Sequence, residues 1–112
     1  MCGSCYAFST TGAVEGSNFI TTGELLSFSE QQLVDCEPLP SLGCLGGNPL
    51  WSFRYLRKHS AILEQDYPYT SGKTMWEGSC KEDTIDATEV KVITSGLLKA
   101  RDVSQMKAAV AR

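Results

Sequence analysis

From Ser4 to Thr22 the apolar positions Tyr6, Ala7, Phe8, Ala13, Val14, Phe19 and Ile20 recur at helical intervals. Thr22-Gly23 supplies a stop, so a first helix is predicted there. Gly12 and Gly16 sit inside it. Each weakens a helix by about 1 kcal/mol relative to alanine, which predicts a close packing partner on their face. Ser29 can cap a second helix, with Gln32 in capping-box spacing and Leu33 and Val34 as its short apolar face before Cys36. Between Glu37 and Pro49 three prolines and three glycines predict irregular loop. Asn48 as cap and Pro49 in the first helical position open a third helix, with Leu50, Phe53 and Leu56 as its expected buried stripe. Arg57, Lys58 and His59 close it with positive charge, which the helix dipole favours.

Beyond this, Tyr67-Pro68-Tyr69 and a polar loop through Asp83 lead to Val90 and Val92, spaced as a short strand with one buried face. A last helix is expected from Asp102, with Gln105 in the capping-box position and Val103, Met106 and Val110 on one side. It is still in phase at Arg112, so the protein is expected to continue. Phe53, Tyr55, Tyr67 and Tyr69 read as packing residues. Glu15 and Glu30 stay open between a buried pair supporting the helices and two exposed carboxylates. No internal repeat or low-complexity tract interrupts the pattern.

Ten basic against thirteen acidic side chains leave a net charge of -3. That balance argues against nucleic-acid binding, which wants a basic patch. No apolar run reaches the roughly 18 residues of a membrane span, and the first residues have no basic-then-apolar signal pattern. Neither a membrane association nor a leader is therefore predicted.

Five cysteines change the picture, because the number is odd. In an oxidising compartment pairing leaves at least one thiol free, and a leftover thiol can be a reactive one. In a reducing compartment the same residues would serve as metal ligands or redox groups. Cys2-Gly3-Ser4-Cys5-Tyr6-Ala7-Phe8-Ser9 is the strongest local signal. It puts Cys5 at a helix start, where unpaired N–H groups and the helix dipole favour negative charge. That setting favours the thiolate, the attacking species. A backbone N–H there can also face a developing oxyanion.

The CGSCY stretch resembles the nucleophile motif of papain-like (cathepsin L-like) cysteine proteases. The likeness runs through further blocks in family order, across at least residues 2 to 80. Ser29 to Cys36 resembles the family's second-helix sequence, and Tyr67-Pro68-Tyr69 another family segment. Gly43 to Gly47 resembles its substrate-lining loop, with Leu45 where asparagine is common; Tyr6 replaces the more usual tryptophan. The resemblance implies an α+β papain-like fold. Residues 1–84 would form the helical domain carrying the catalytic cysteine, and 85–112 the start of a strand-rich one. It assigns Cys5 as the nucleophile and pairs Cys2 with Cys44 and Cys36 with Cys80. Gly46 and Gly47 would run beside an extended substrate peptide, where a side chain would block approach. Gly47 would offer backbone hydrogen bonds to the residue two before the scissile bond, and Asn48 and Pro49 would wall its pocket.

The implied activity is cysteine-type endopeptidase hydrolysis through an acyl-enzyme, without metal or organic cofactor. Implied partners are peptide or protein substrates, a propeptide and cystatin-like inhibitors, on a monomer. Two disulfides fit a lysosomal, vacuolar or secreted setting. The base histidine and its orienting asparagine would lie about 130–150 residues downstream of the nucleophile, beyond Arg112. The oxyanion glutamine would fall before Met1, and Met1 fits as an internal residue. The fragment alone is therefore expected to be inactive. His59, the sole histidine, reads as a solvated residue at a helix end. Two rival readings of the cysteines are a thioredoxin-like CxxC thiol-disulfide oxidoreductase and a zinc site of Cys2, Cys5, Cys36 and Cys44. The first wants a strand before the motif, the second a further tight pair.

Overall fold

The first helix, α1 (Cys5–Thr22), ends as its sequence predicts. Gly23 takes φ +79 and donates its N–H to Phe19 O at 2.8 Å. The computed structural model of the chain describes residues 1–85 and 89–90. The buried side of α1 is Tyr6, Ala7, Thr10, Thr11 and Val14, so the two threonines lie inward while Phe8 and Phe19 remain exposed. Thr10 Oγ1 donates to Tyr6 O at 2.7 Å and Thr11 Oγ1 to Glu30 Oε2 at 2.7 Å, which satisfies both buried hydroxyls. The expected partner against Gly12 and Gly16 is not there. A Cβ at either would meet nothing within 4 Å; both glycines lie on the exposed side of α1.

The second helix, α2 (Glu30–Cys36), starts where Ser29 predicts, with Ser29 Oγ accepting the Gln32 N–H at 3.0 Å. Only half of a capping box forms. Gln32 Nε2 donates instead to Ser60 O at 2.9 Å, and its Oε1 accepts the Ile62 N–H at 2.9 Å. The neighbouring Gln31 Oε1 accepts from Thr70 and Ser71 N–H at 2.8 and 3.0 Å. Two adjacent amides of α2 thus satisfy the main chain of residues 60–71. This anchors a one-turn helix that sequence reads as loop, here numbered after α3 as α4 (Ser71–Thr74).

The third helix, α3 (Pro49–Lys58), has Asn48 Oδ1 accepting the Leu50 N–H at 2.9 Å and packs with α2 against α1. Its buried stripe differs from the predicted one. Ser52, Tyr55 and Leu56 are inside and Phe53 is half-buried, but Leu50 is 42% exposed. Ser52 can lie inside because its hydroxyl donates to the buried Glu37 Oε2 at 2.7 Å. Burial pushes the Glu37 carboxyl up from its ordinary range.

A two-stranded antiparallel sheet joins β1 (Ala61–Ile62) to β2 (Glu89–Val90), with Ala61 opposite Val90. Val92 and the helix expected from Asp102 lie outside the described residues. The core gathers Ala7, Val14, Phe28, Leu33, Tyr55 and Leu56. Glu15 and Glu30 do not hold each other: Glu15 Oε2 accepts the Phe28 N–H at 2.9 Å, whereas Glu30 is buried against Thr11. Burial is the main cause that raises the Glu30 carboxyl, and the nearby Glu64 carboxyl adds to it. The described residues are mostly helical with few strands, as in the helical part of an α+β fold.

Candidate active site

Two disulfides fix the surroundings of the amino-terminal cysteines: Cys2 is bonded to Cys44 and Cys36 to Cys80. Cys5 keeps a free, exposed thiol. Cys2 is therefore tied to a residue 42 positions away and not to Cys5, although the two share a CxxC stretch. Four of the five sulfurs are bonded to one another in pairs, so they offer no thiolates for the four-cysteine zinc arrangement.

Cys5 is the first residue of α1. Gly3 donates its N–H to Cys44 O at 2.7 Å, and a Cβ on Gly3 would stand 2.9 Å from that oxygen. Only glycine permits this approach of the two segments. Ser4, 3% exposed, pairs its Oγ with Tyr69 OH at 2.8 Å. Tyr6 is buried and donates its hydroxyl to Gly43 O at 2.9 Å; burial pushes that phenol above its ordinary pKa. The helix start and the 43–49 loop are thus joined by one disulfide and two hydrogen bonds.

In that loop Gly43–Leu45 forms a 3-10 turn, with Cys44 N–H donating to Glu77 Oε2 at 3.3 Å. Leu45 is 79% exposed. Gly46 has φ +132, a conformation side chains avoid, and open space beside it. Gly47 has a packing reason within the fold. Its missing Cβ would point inward, 2.6 Å from Ser41 Oγ and 2.9 Å from the Tyr6 ring. Glycine here lets the loop lie flat on Tyr6, the residue next to Cys5.

That geometry yields a paired prediction. Gly47→Ala overfills the site and is expected to lower unfolding free energy by about 1–3 kcal/mol. Gly12→Ala, with nothing to strike, is expected to raise it by about 0.5–1 kcal/mol. Urea unfolding of both variants checks the signs; a neutral Gly47→Ala would contradict the packing account.

Asn48 and Pro49 follow as cap and first residue of α3, which carries the loop's far end. His59 is taken up elsewhere. Its Nδ1 lies 3.1 Å from Glu82 Oε1, and its ring stacks on Tyr55 at 4.4 Å. It closes α3 half-exposed, as its position suggests, but with a carboxylate partner. Tyr55 OH also bonds Glu82 Oε2. A groove of about 450 Å³ lies between Leu39 and α3, lined by Trp51, Arg54 and Lys58. None of the sequence-predicted site residues lines it.

Sequence reasoning missed Ser41 and Glu77 behind the loop, and Tyr69 behind Ser4. The Tyr-Pro-Tyr block was the available signal for the last; nothing in the spacing marks the first two.

The sequence model of the papain family cysteine proteases matches residues 1–112. A probable cysteine protease of Arabidopsis thaliana, RDL3, is 42% identical over 113 residues, covering 98% of this chain and 29% of the relative. A Carica candamarcensis cysteine protease, solved in complex with E-64, is 44% identical with a TM-score of 0.73, over 80% of this chain and 40% of that one. The proform of the ragweed pollen allergen Amb a 11, also a cysteine protease, is 42% identical with a TM-score of 0.68, over 79% of this chain and 26% of that one. The chain thus spans less than half of each of these three relatives. With its whole length matched by the family model, and its helices superposing on solved members at this identity, the chain belongs to the papain family of cysteine proteases.

Proposed function

We propose that this chain supplies the nucleophile and part of the substrate shelf of a cysteine-type endopeptidase. One observation carries the reading: Cys5 alone has a free thiol, exposed at the first position of α1, while the other four sulfurs are bonded in pairs. No hydrogen bond from the Cys5 N–H is found among the described residues, so that donor is available to a ligand.

In this mechanism the Cys5 thiolate attacks the carbonyl carbon of the scissile bond. The carbonyl electron pair moves to oxygen, and the Cys5 N–H stabilises that oxyanion. The tetrahedral intermediate collapses, the C–N bond breaks, and the leaving amine takes a proton from an imidazolium. A thioester on Cys5 remains, and water hydrolyses it. By the family resemblance the imidazole and its orienting asparagine would lie beyond Arg112, and an oxyanion glutamine before Met1. The 112-residue chain alone is accordingly expected to be inactive.

Gly46 and Gly47 would line the bound peptide, with Gly47 main-chain groups bonding the residue two before the cleaved bond. Asn48 and Pro49 would wall that residue's pocket. Residues after about Thr84 would begin the strand-rich domain across the cleft. Substrates would be peptides or proteins; a propeptide and cystatin-like inhibitors are the further partners, and the chemistry needs no cofactor. A relative crystallised with E-64 and another solved as a proform support this. Two disulfides support a lysosomal, vacuolar or secreted setting.

The test is labelling by E-64. The full-length protein should take up one equivalent, at Cys5, and lose peptide hydrolysis in step. The isolated chain should show one titratable thiol and little labelling. Labelling at another cysteine, or dithiol exchange through Cys2 and Cys5 without peptide hydrolysis, would overturn the reading.

A further inference from the structure

The three helices longer than one turn all begin on residues well suited to capping, and one of the three does not cap. Ser29 and Asn48 have extended backbones, ψ 116 and 131, and their side chains accept the N–H of Gln32 and Leu50. Ser4 has φ -97 and ψ 15, and its side chain makes no cap bond to α1. Serine is among the preferred capping residues, and Ser29 caps even while its Oγ donates to Tyr67 O at 2.6 Å; at Ser4 the side chain is turned instead toward a distant contact. That contact is Tyr69 OH, 2.8 Å from Ser4 Oγ.

Tyr69 is held from several sides. Its N–H donates to Glu64 Oε2 at 3.0 Å, and the next two N–H groups donate to the buried Gln31. Its ring stands edge-on to Phe8 at 5.0 Å and closes over Gly72, where a Cβ would lie 3.0 Å from Cε2. The hydroxyl that meets Ser4 is therefore fixed in place before any substrate arrives. Because the peptide unit is planar, ψ at Ser4 sets the orientation of the Ser4–Cys5 peptide. It thereby sets the direction of the Cys5 N–H.

We propose that Tyr69 is a positioning residue for peptide hydrolysis. By engaging Ser4 Oγ it prevents Ser4 from capping α1, and so keeps the Cys5 N–H aimed at the oxyanion position. This inference rests on the reading of Cys5 as the peptidase nucleophile.

The geometry dictates an unusual ordering of variants. Tyr69→Phe leaves the ring against Phe8 but frees the Ser4 hydroxyl. Ser4 then relaxes toward the ψ of the two capped helices and turns the Cys5 N–H away. Ser4→Ala has no oxygen with which to cap, so it exerts no such pull. The double variant should therefore resemble Ser4→Ala and not the sum of the two.

The experiment compares two reactions of Cys5 in the full-length protein: kcat/KM for a peptide substrate, and the rate of alkylation by iodoacetamide, which forms no oxyanion. Tyr69→Phe is expected to lower kcat/KM by about tenfold, a fraction of the roughly 100- to 1000-fold cost of losing a donor outright. Its alkylation rate should stay within about twofold of wild type, because the thiolate itself is untouched. Ser4→Ala should stay within about threefold on both, and the double variant should return to that level. Wild-type kcat/KM in Tyr69→Phe, equal loss of both reactions, or a double variant worse than either single overturns the proposal. So does a Tyr69→Phe protein that fails to fold, since the hydroxyl would then serve the fold. A wild-type protein without peptide hydrolysis would instead sink the underlying peptidase reading.

Discussion

Replacing Cys5 with alanine in the full-length protein is expected to cut peptide hydrolysis by at least about a thousandfold, while leaving thermal unfolding unchanged. Removing a catalytic nucleophile costs on the order of 10⁶ in kcat in a well-studied hydrolase, because bound water then has to attack without a covalent intermediate. Stability should not follow. The Cys5 side chain is exposed and outside the core, and its thiol is free of disulfide bonding. Cys5→Ser should also fall far short of wild type, since a hydroxyl is much harder to ionise than a thiol. Steady-state cleavage of a fluorogenic peptide, beside melts of the same samples, measures both halves. A variant within tenfold of wild type would show that the reaction does not pass through this sulfur.

Replacing Cys44 with serine is expected to act twice. The bridge to Cys2 closes a sequence separation of 42 residues, and constraint of the unfolded chain over such a loop is worth about 4 kcal/mol at 25 °C. Urea unfolding should register a loss of that order. The substitution also frees the Cys2 thiol three positions from Cys5. Under mild oxidation the two can pair, which removes the free Cys5 thiol. Activity of Cys44→Ser should therefore be low without reductant and recover in part when one is added. The double variant Cys36→Ser/Cys80→Ser is the control. It opens a loop of similar size, separation 44, but leaves no new thiol within the CxxC stretch. It should lose comparable stability with no such gain from reductant. Two persistent free thiols and undiminished activity in Cys44→Ser would refute the second effect.

The helix starts were legible because their determinants are local. Ser29 with Gln32, and Asn48 with Pro49, need no distant partner to mark where a helix begins, and both caps form. The buried faces were less legible, because a polar residue turns inward only when something far along the chain receives it. Ser52 lies inside on account of Glu37, and Thr11 on account of Glu30. An apolar stripe drawn through Leu50 ignores those partners. Gln31 and Gln32 read as motif letters, yet their amides bond main-chain groups of residues 60–71, a pairing that periodicity does not encode. At the site, the exposed cysteine and the glycines were visible as residue types. The direction in which Gly47 lacks a side chain, and the hydroxyl behind Ser4, exist only once the loop and the Tyr69 segment are folded against α1.

The two bridges interleave: Cys36 lies inside the loop closed by Cys2 and Cys44, and Cys44 lies inside the loop closed by Cys36 and Cys80. A single cut of the main chain anywhere from Gly3 to Ser79 therefore releases nothing, because at least one bridge spans every such break. A protease that clips an exposed turn once therefore leaves the pieces tethered around the free Cys5 thiol. Only a second cut, or reduction of the bridges, would let them part.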